Sequence, residues 1–181
     1  GLSLDFFFKK RIYKLEHQFD KLQLKFLILR PANFPTIRIS QLASLVAMKG
    51  SLFSFCVDFD SVKSLKNGLG VEQSSYWKKH YNFGQVAKIT IGALGQSSIE
   101  NIIINTVAPL LFAYGIHKDN QYFKDKSIDL LAEINSENNF ITKKWKELGL
   151  EINNAFDLQA LIQLYQEFCK KNRSLKCSNG A

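Results

Sequence analysis

The chain has 181 residues, a formal net charge of +8, 46% hydrophobic residues and 22% charged residues. A chain of this size buries roughly 70% of its unfolded surface, so it needs neither a metal nor a disulfide to fold. Three cysteines, Cys56, Cys169 and Cys177, form no even disulfide framework. With no signal peptide in view, the expected compartment is a reducing cytoplasm.

One helical domain over residues 1–181 is the expectation for this length. The chain opens on Gly1, its only methionine is Met48, and an apolar pattern begins at once. Those features read as a C-terminal fragment of a longer protein. Residues 1–90 hold 14 Lys and Arg against 6 Asp and Glu, whereas residues 91–181 hold 10 against 10. The whole positive excess lies in the first half. Such asymmetry fits a polyanion partner, including nucleic acid, and equally fits docking against a missing N-terminal half of the same protein.

Leu2 to about Gln18 reads as a first helix with a basic face, carrying Leu4, Phe8, Tyr13 and Leu15. Phe19–Leu29 reads as helix or coil. Pro31 and Pro35 bias Arg30 and Phe34 toward extended backbone, so residues 30–34 read as a rigid connector. Pro35 suits the first turn of a helix, Asn33 or Thr36 is its candidate cap, and Gly50 its stop. Ile39, Leu42, Ala43 and Val46 have the i, i+3, i+4, i+7 spacing of a core-facing stripe. Arg38 sits in the first turn, where the helix dipole disfavours a cation. Helix N-termini offer free N–H groups, and guanidinium forks match oxyanions, so Arg30, Asn33 and Arg38 form a candidate site for a phosphate or carboxylate. The competing reading pairs each arginine with a carboxylate of this chain or of a neighbouring domain.

Ser51 is the candidate cap of a short helix through Phe59, with Cys56 a buried, inert thiol on it. Ser61 to Asn67 reads as a helical turn. Tyr76–Gly84, YWKKHYNFG, interleaves aromatic rings with cations. Single-stranded nucleic acid needs rings for its bases and ammonium groups for its phosphates, which makes Tyr76, Trp77, Lys78, Lys79 and Tyr81 a second candidate site. It requires exposed Trp77 and Tyr81 rings. The competing reading has Trp77, Tyr81 and Phe83 anchoring a long loop to the core. Ala87–Leu94 reads as a short extended piece or a lead into the next helix.

Residues 97–115 should form the central buried helix, with Ser97 and Glu100 as a capping box, Gly115 as its end, and a kink near Asn105 imposed by Pro109. Asn101 and Asn105 are neighbours on one face and need partners if buried. The apolar run Ile102–Tyr114, interrupted by Asn105, Thr106 and Pro109, is too short and polar to span a bilayer, so no membrane partner is expected. Lys118–Ile134 reads as a helix with Tyr122, Ile128, Leu131 and Ala132 inward. Ser136 is the candidate cap of the next helix, with Phe140, Ile141, Trp145 and Leu148 inward and Gly149 as stop. Asn153 or Asn154 caps a last helix packed through Phe156, Leu158, Leu161, Ile162, Leu164, Tyr165 and Phe168.

No phosphate-binding glycine loop, paired-carboxylate motif or nucleophile motif is present, and no cofactor is called for. Cys169 and Cys177 are spaced C-x7-C, which matches no closed zinc pattern and makes a poor metal site with two sulfurs alone.

The stretches LILRPANFPTIRISQLA, YWKKHYNFG, IIINTVAPLLFAYG, ENNFITKKW and DLQALIQLYQEFC together resemble the C-terminal half of an uncharacterised family of bacterial proteins, a domain of unknown function. The resemblance covers Tyr13 to Gly180 and implies a longer protein with an upstream half. It also implies a terminal C-x4-C-x2-C pattern, whose positions here are Cys169, Ser174 and Cys177. Ser174 departs from that pattern, which puts a metal role in doubt.

The expected fold is all-α, an irregular bundle of about seven to eight helices around the kinked apolar helix near 97–115. The expected function is that of a non-catalytic helical module whose basic face, around Arg30 and Arg38, docks a missing N-terminal domain or a polyanion. The alternative is the substrate-anion-binding half of an enzyme, with nucleic acid as one candidate substrate, whose catalytic groups lie in the missing half.

Overall fold

The computed structural model describes residues 33–137 and 139–171. The helix expected at Leu2–Gln18, the Phe19–Leu29 stretch, Arg30 and Cys177 lie outside the described residues. Within them the chain forms eight helices and one small two-stranded sheet, the expected all-α class. In order they are α1 (Pro35–Lys49), α2 (Leu52–Val57), α3 (Val62–Leu69), α4 (Ser75–Lys79), β1 (His80–Asn82), β2 (Gln85–Val86), α5 (Gln96–His117), α6 (Gln121–Ala132), α7 (Phe140–Glu147) and α8 (Ala155–Leu164). The described chain divides into two compact units, one of residues 33–55 and 67–95, the other of residues 56–66 and 96–171.

In the first unit, Phe34 has the extended backbone (φ −61°, ψ 143°) that a following proline imposes, and Pro35 opens α1. Phe34 is the N-cap and makes no side-chain cap bond, so neither Asn33 nor Thr36 has the expected capping role. Gly50 ends the helix at φ +66°, a conformation that glycine reaches without strain. The face that α1 buries is Thr36, Ile37, Ser40 and Gln41. The stripe expected to face the core points outward instead: Ile39 is 44% exposed, Leu42 54% and Val46 42%. Ser51 accepts from Ser54 N–H at 3.2 Å and caps α2 as expected. Gly68 on α3 faces the Phe55 ring, where a Cβ would lie 2.5 Å from Cζ. The extended piece of this unit is a hairpin at 80–86, with β1 and β2 antiparallel, and not the 87–94 stretch.

The second unit is built on α5. Its backbone runs as α-helix over Gln96–Ile102, widens to a π-helical turn over Ile103–Val107, and returns to α-helix from Ala108 to His117. Pro109 lacks an N–H, and the wide turn takes up the fault, with Ala108 N–H reaching back to Ile103 O. The irregularity expected near Asn105 is therefore a π-helical turn. Ile99, Ile103, Ile104, Val107, Ala108 and Leu111 are buried. Asn101 and Asn105 are exposed, and Asn105 Nδ2 donates to Asn101 O at 3.0 Å.

The Ser97–Glu100 capping box gives way to other partners. The Glu100 carboxylate accepts from Lys66 Nζ at 2.8 Å and Gln96 Nε2 at 3.0 Å. By length and composition α5 is apolar enough to cross a membrane, contrary to the expectation from Ile102–Tyr114 alone. The core helix of a water-soluble protein passes the same test, and here the row of buried residues packs against protein.

Gly115 does not end α5, which continues to His117 and turns through Asp119 at φ +48°. Gly115 is where α6 comes close. A Cβ there would lie 2.8 Å from Lys124 Cγ and 3.0 Å from Lys124 N. Asn120 caps α6, accepting from Tyr122 N–H at 3.0 Å, and Ser127 Oγ donates to Ala108 O at 2.8 Å, a buried tie between α6 and α5. On α6 the expected inward residues Tyr122 and Ile128 are exposed, while Leu130 is buried. Asn139, not Ser136, caps α7, and Asn154 caps α8. Phe140, Leu148 and Phe156, expected inward, are exposed. Thr142 and Leu158 are buried in their place. Thr142 Oγ1 donates to Glu137 O at 2.8 Å, and Ala155 N–H to Ile134 O at 2.7 Å.

Gly115→Ala should lower stability by about 1–3 kcal/mol through overpacking against α6, read as a fall in the thermal midpoint. Glu100 tests the polar contribution. The hydrogen bonds from Lys66 and Gln96 hold its carboxyl below the usual value, so its stabilisation is present above the unfolded carboxylate pKa and lost as pH falls through the folded one. Urea melts should show Glu100→Gln about 1 kcal/mol less stable near neutrality, with the gap closing below about pH 4.

Candidate functional site

The entry to α1 brings two of the three candidate anion-site residues together. Arg38 Nη2 donates to Asn33 Oδ1 at 2.7 Å, and Arg38 Nη1 donates to Gln41 Oε1 at 3.0 Å. Burial pushes the Arg38 guanidinium below its ordinary pKa, but an arginine stays cationic at any physiological pH. Pro35 has no N–H to offer, and the amides of Ile37 and Arg38 both donate to Phe34 O, at 3.0 and 3.1 Å. This helix end thus presents fewer free donors than an ordinary N-terminus.

Behind Arg38 runs a chain of amides. Gln41 is 5% exposed and Gln73 3%. Gln41 Nε2 donates to Gln73 Oε1 at 3.3 Å and lies 3.5 Å from Gly92 O. Gln73 Nε2 donates to Ile91 O at 2.7 Å and Gly92 O at 3.0 Å. Both side-chain amides are satisfied at both ends, the condition under which burying them is tolerable. The line Asn33–Arg38–Gln41–Gln73 fixes the guanidinium from within the fold. Neither Gln41 nor Gln73 stood out in the sequence. A glutamine inside an apolar helix is the one local sign, and it does not identify its partner.

The YWKKHYNFG stretch folds onto itself. Tyr76 stacks on His80 with ring centroids 4.0 Å apart, and its hydroxyl accepts from Gly84 N–H at 3.0 Å. Trp77 meets Tyr76 and Phe83 edge-on, each at 5.1 Å. Tyr81 meets Phe34 edge-on at 5.4 Å, and its carbonyl accepts from Thr36 Oγ1 at 2.6 Å, which ties β1 to the start of α1. Trp77 and Tyr81 are half-buried. Lys78 pairs with Glu72, and Lys79 is exposed. The rings that a base would need are largely spent on one another. What the hairpin region leaves outside is Phe83, Val86 and Ile89, with Lys79 and Lys88.

Cys169 is exposed in a π-helical turn that extends α8, and its C-x7-C partner Cys177 lies outside the described residues. No group of three or more His, Cys, Asp and Glu suited to a metal occurs among the described residues. Burial raises the pKa of half-buried Cys56, which keeps it a thiol and a weak nucleophile.

The chain belongs to a family described as protein of unknown function (DUF2851), whose model matches residues 1–140. No curated protein and no solved structure matches it. The ENNFITKKW stretch runs past the end of the family match, and DLQALIQLYQEFC and the cysteines Cys169 and Cys177 lie wholly beyond it.

Gln73→Leu removes the acceptor of Gln41 and the donor to two backbone carbonyls. A loss of about 2–4 kcal/mol is expected, since the buried Gln41 amide and the carbonyl of buried Ile91 each lose a partner. A urea melt reads it, and a neutral result would show that the amide line does not hold α1.

Proposed function

We propose that the chain is a non-catalytic helical module whose first unit docks an acidic macromolecule. What supports the reading is the charge of that unit. Its described residues carry Arg38, Lys49, Lys78, Lys79 and Lys88 against Glu72 alone, and Glu72 is held by Lys78. Lys79 and Lys88 are exposed, so solvent screens them and a polyanion can reach them. Arg38 is held in a fixed orientation by Asn33 and Gln41, which suits recognition better than a freely rotating cation does. In this reading the anion site at Asn33 and Arg38 is part of the docking surface.

A column of immobilised heparin at low salt tests the proposal. The wild-type chain should be retained and elute as salt rises, and Lys79→Glu with Lys88→Glu should elute at clearly lower salt. Arg38→Glu should shift elution in the same direction. Unchanged elution of both variants would remove the basis of the reading.

A further inference from the structure

We infer that the outward face of α1 is a docking seam for an acidic amphipathic helix of a protein partner, an assignment that rests on the acidic-partner reading above. The face consists of Ile39, Leu42, Ala43 and Val46, all exposed. Their i, i+3, i+4, i+7 spacing is that of one side of a helix–helix contact. Ala43 at the middle lets a second helix come close. The opposite face of α1 is committed to the fold through Ile37, Ser40 and Gln41, so the helix cannot rotate to hide the seam.

Charge selects among possible occupants. Residues 33–57 contain Arg38 and Lys49 and no carboxylate. These two cations are eleven positions apart, about three turns, and lie on the same flank of the seam. Lys49 Nζ sits 4.5 Å from the Phe55 ring centroid, which leaves its charge uncancelled. A second copy packed antiparallel would bring like charges together along that flank, and one packed parallel would set both cations against a flank with no carboxylate, so neither orientation offers them a counter-charge. The segments outside the described residues are basic too: residues 1–32 hold 7 Lys and Arg against 3 Asp and Glu, and residues 172–181 hold 2 against none. An anionic lipid surface is recognised by clusters of about 4–8 cations, more than this helix carries. A helix with Leu at the matching spacing and Glu along one flank satisfies both the seam and its cations.

The probe is a fluorescein-labelled, end-capped peptide of that pattern, titrated with the intact chain and read by fluorescence anisotropy. Saturable binding is expected, weakened about tenfold or more by Leu42→Asp and about fivefold by Lys49→Glu. A peptide with Lys in place of Glu should bind Lys49→Glu better than wild type, a charge-swap rescue that misfolding cannot mimic. Leu42 is exposed, so Leu42→Asp should keep the wild-type melting curve and heparin elution. If the peptide shows no saturable binding, or binds Leu42→Asp as well as wild type, the assignment is overturned. Leu42-dependent binding to phosphatidylserine vesicles, or Leu42-dependent self-association in sedimentation, without peptide binding overturns it in favour of a lipid or a second copy. Failed peptide binding with normal heparin retention removes only this assignment. Failure of both removes the acidic-partner reading as well.

Discussion

The orientation of α1 depends on the hydrogen bonds between Gln41, Gln73 and the carbonyls of Ile91 and Gly92. Desolvating an amide without partners costs about 1–3 kcal/mol, so two buried glutamines are tolerated only as a completed set. Once the set is complete, it pins α1 to the 71–73 and 91–92 segments. It also brings Gln41 Oε1 under the Arg38 guanidinium. Three features of the first unit share this origin: the buried polar face of the helix, the fixed arginine, and the apolar residues left in solvent. Buried amide networks are demanding in geometry, and the reward is a single register between elements far apart in sequence.

The second unit relies on different physics. Its ties are apolar side chains of α5 against α6, with a few polar contacts between segments distant in sequence. Ser127 donates to Ala108 O, and Lys126 Nζ donates to the carbonyls of Val57 and Phe59 at 2.8 and 2.9 Å while lying over the Phe59 ring. The lysine serves as a cap for the end of α2, where a helix presents unpaired carbonyls and favours a cation.

Legibility in the sequence followed the range of the interactions. Gly50, Gly149 and Asn154 are local signals, and the structure uses each where the residue pattern put it. Ser136 was the expected cap of α7, and Asn139, three residues on, has the role because its side chain reaches Thr142 N–H. The direction of α1 was not legible, because Gln73 lies 32 residues from Gln41 and nothing near either names the other. Apolar spacing alone pointed Ile39, Leu42 and Val46 inward, and periodicity reports a stripe without reporting what lies opposite it. The exposed Tyr122, Phe140 and Leu148 have the same explanation, since their helices bury a narrower strip than their composition offers. Of the candidate sites, the pairing of Asn33 with Arg38 is close in sequence, whereas the self-stacking of Tyr76, Trp77 and His80 required the hairpin to be known.

The π-helical turn in α5 also solves a problem of winding. The residues Ile99, Ile103, Val107, Leu111 and Gly115 recur at every fourth position, and all are buried. A turn of α-helix takes 3.6 residues, so such a row overshoots by about 40° at each step and spirals off any straight partner. A wider turn in the middle takes up the excess and returns Leu111 and Gly115 to the side that Ile99 began. Pro109, which would damage an ordinary helix, helps keep the wide turn in place. The turn thus works as a phase corrector. Removing one residue between Ile103 and Val107 would rotate everything after it by about 100°, carrying Gly115 away from its close approach to α6, whereas exchanging side chains there would leave the phase intact.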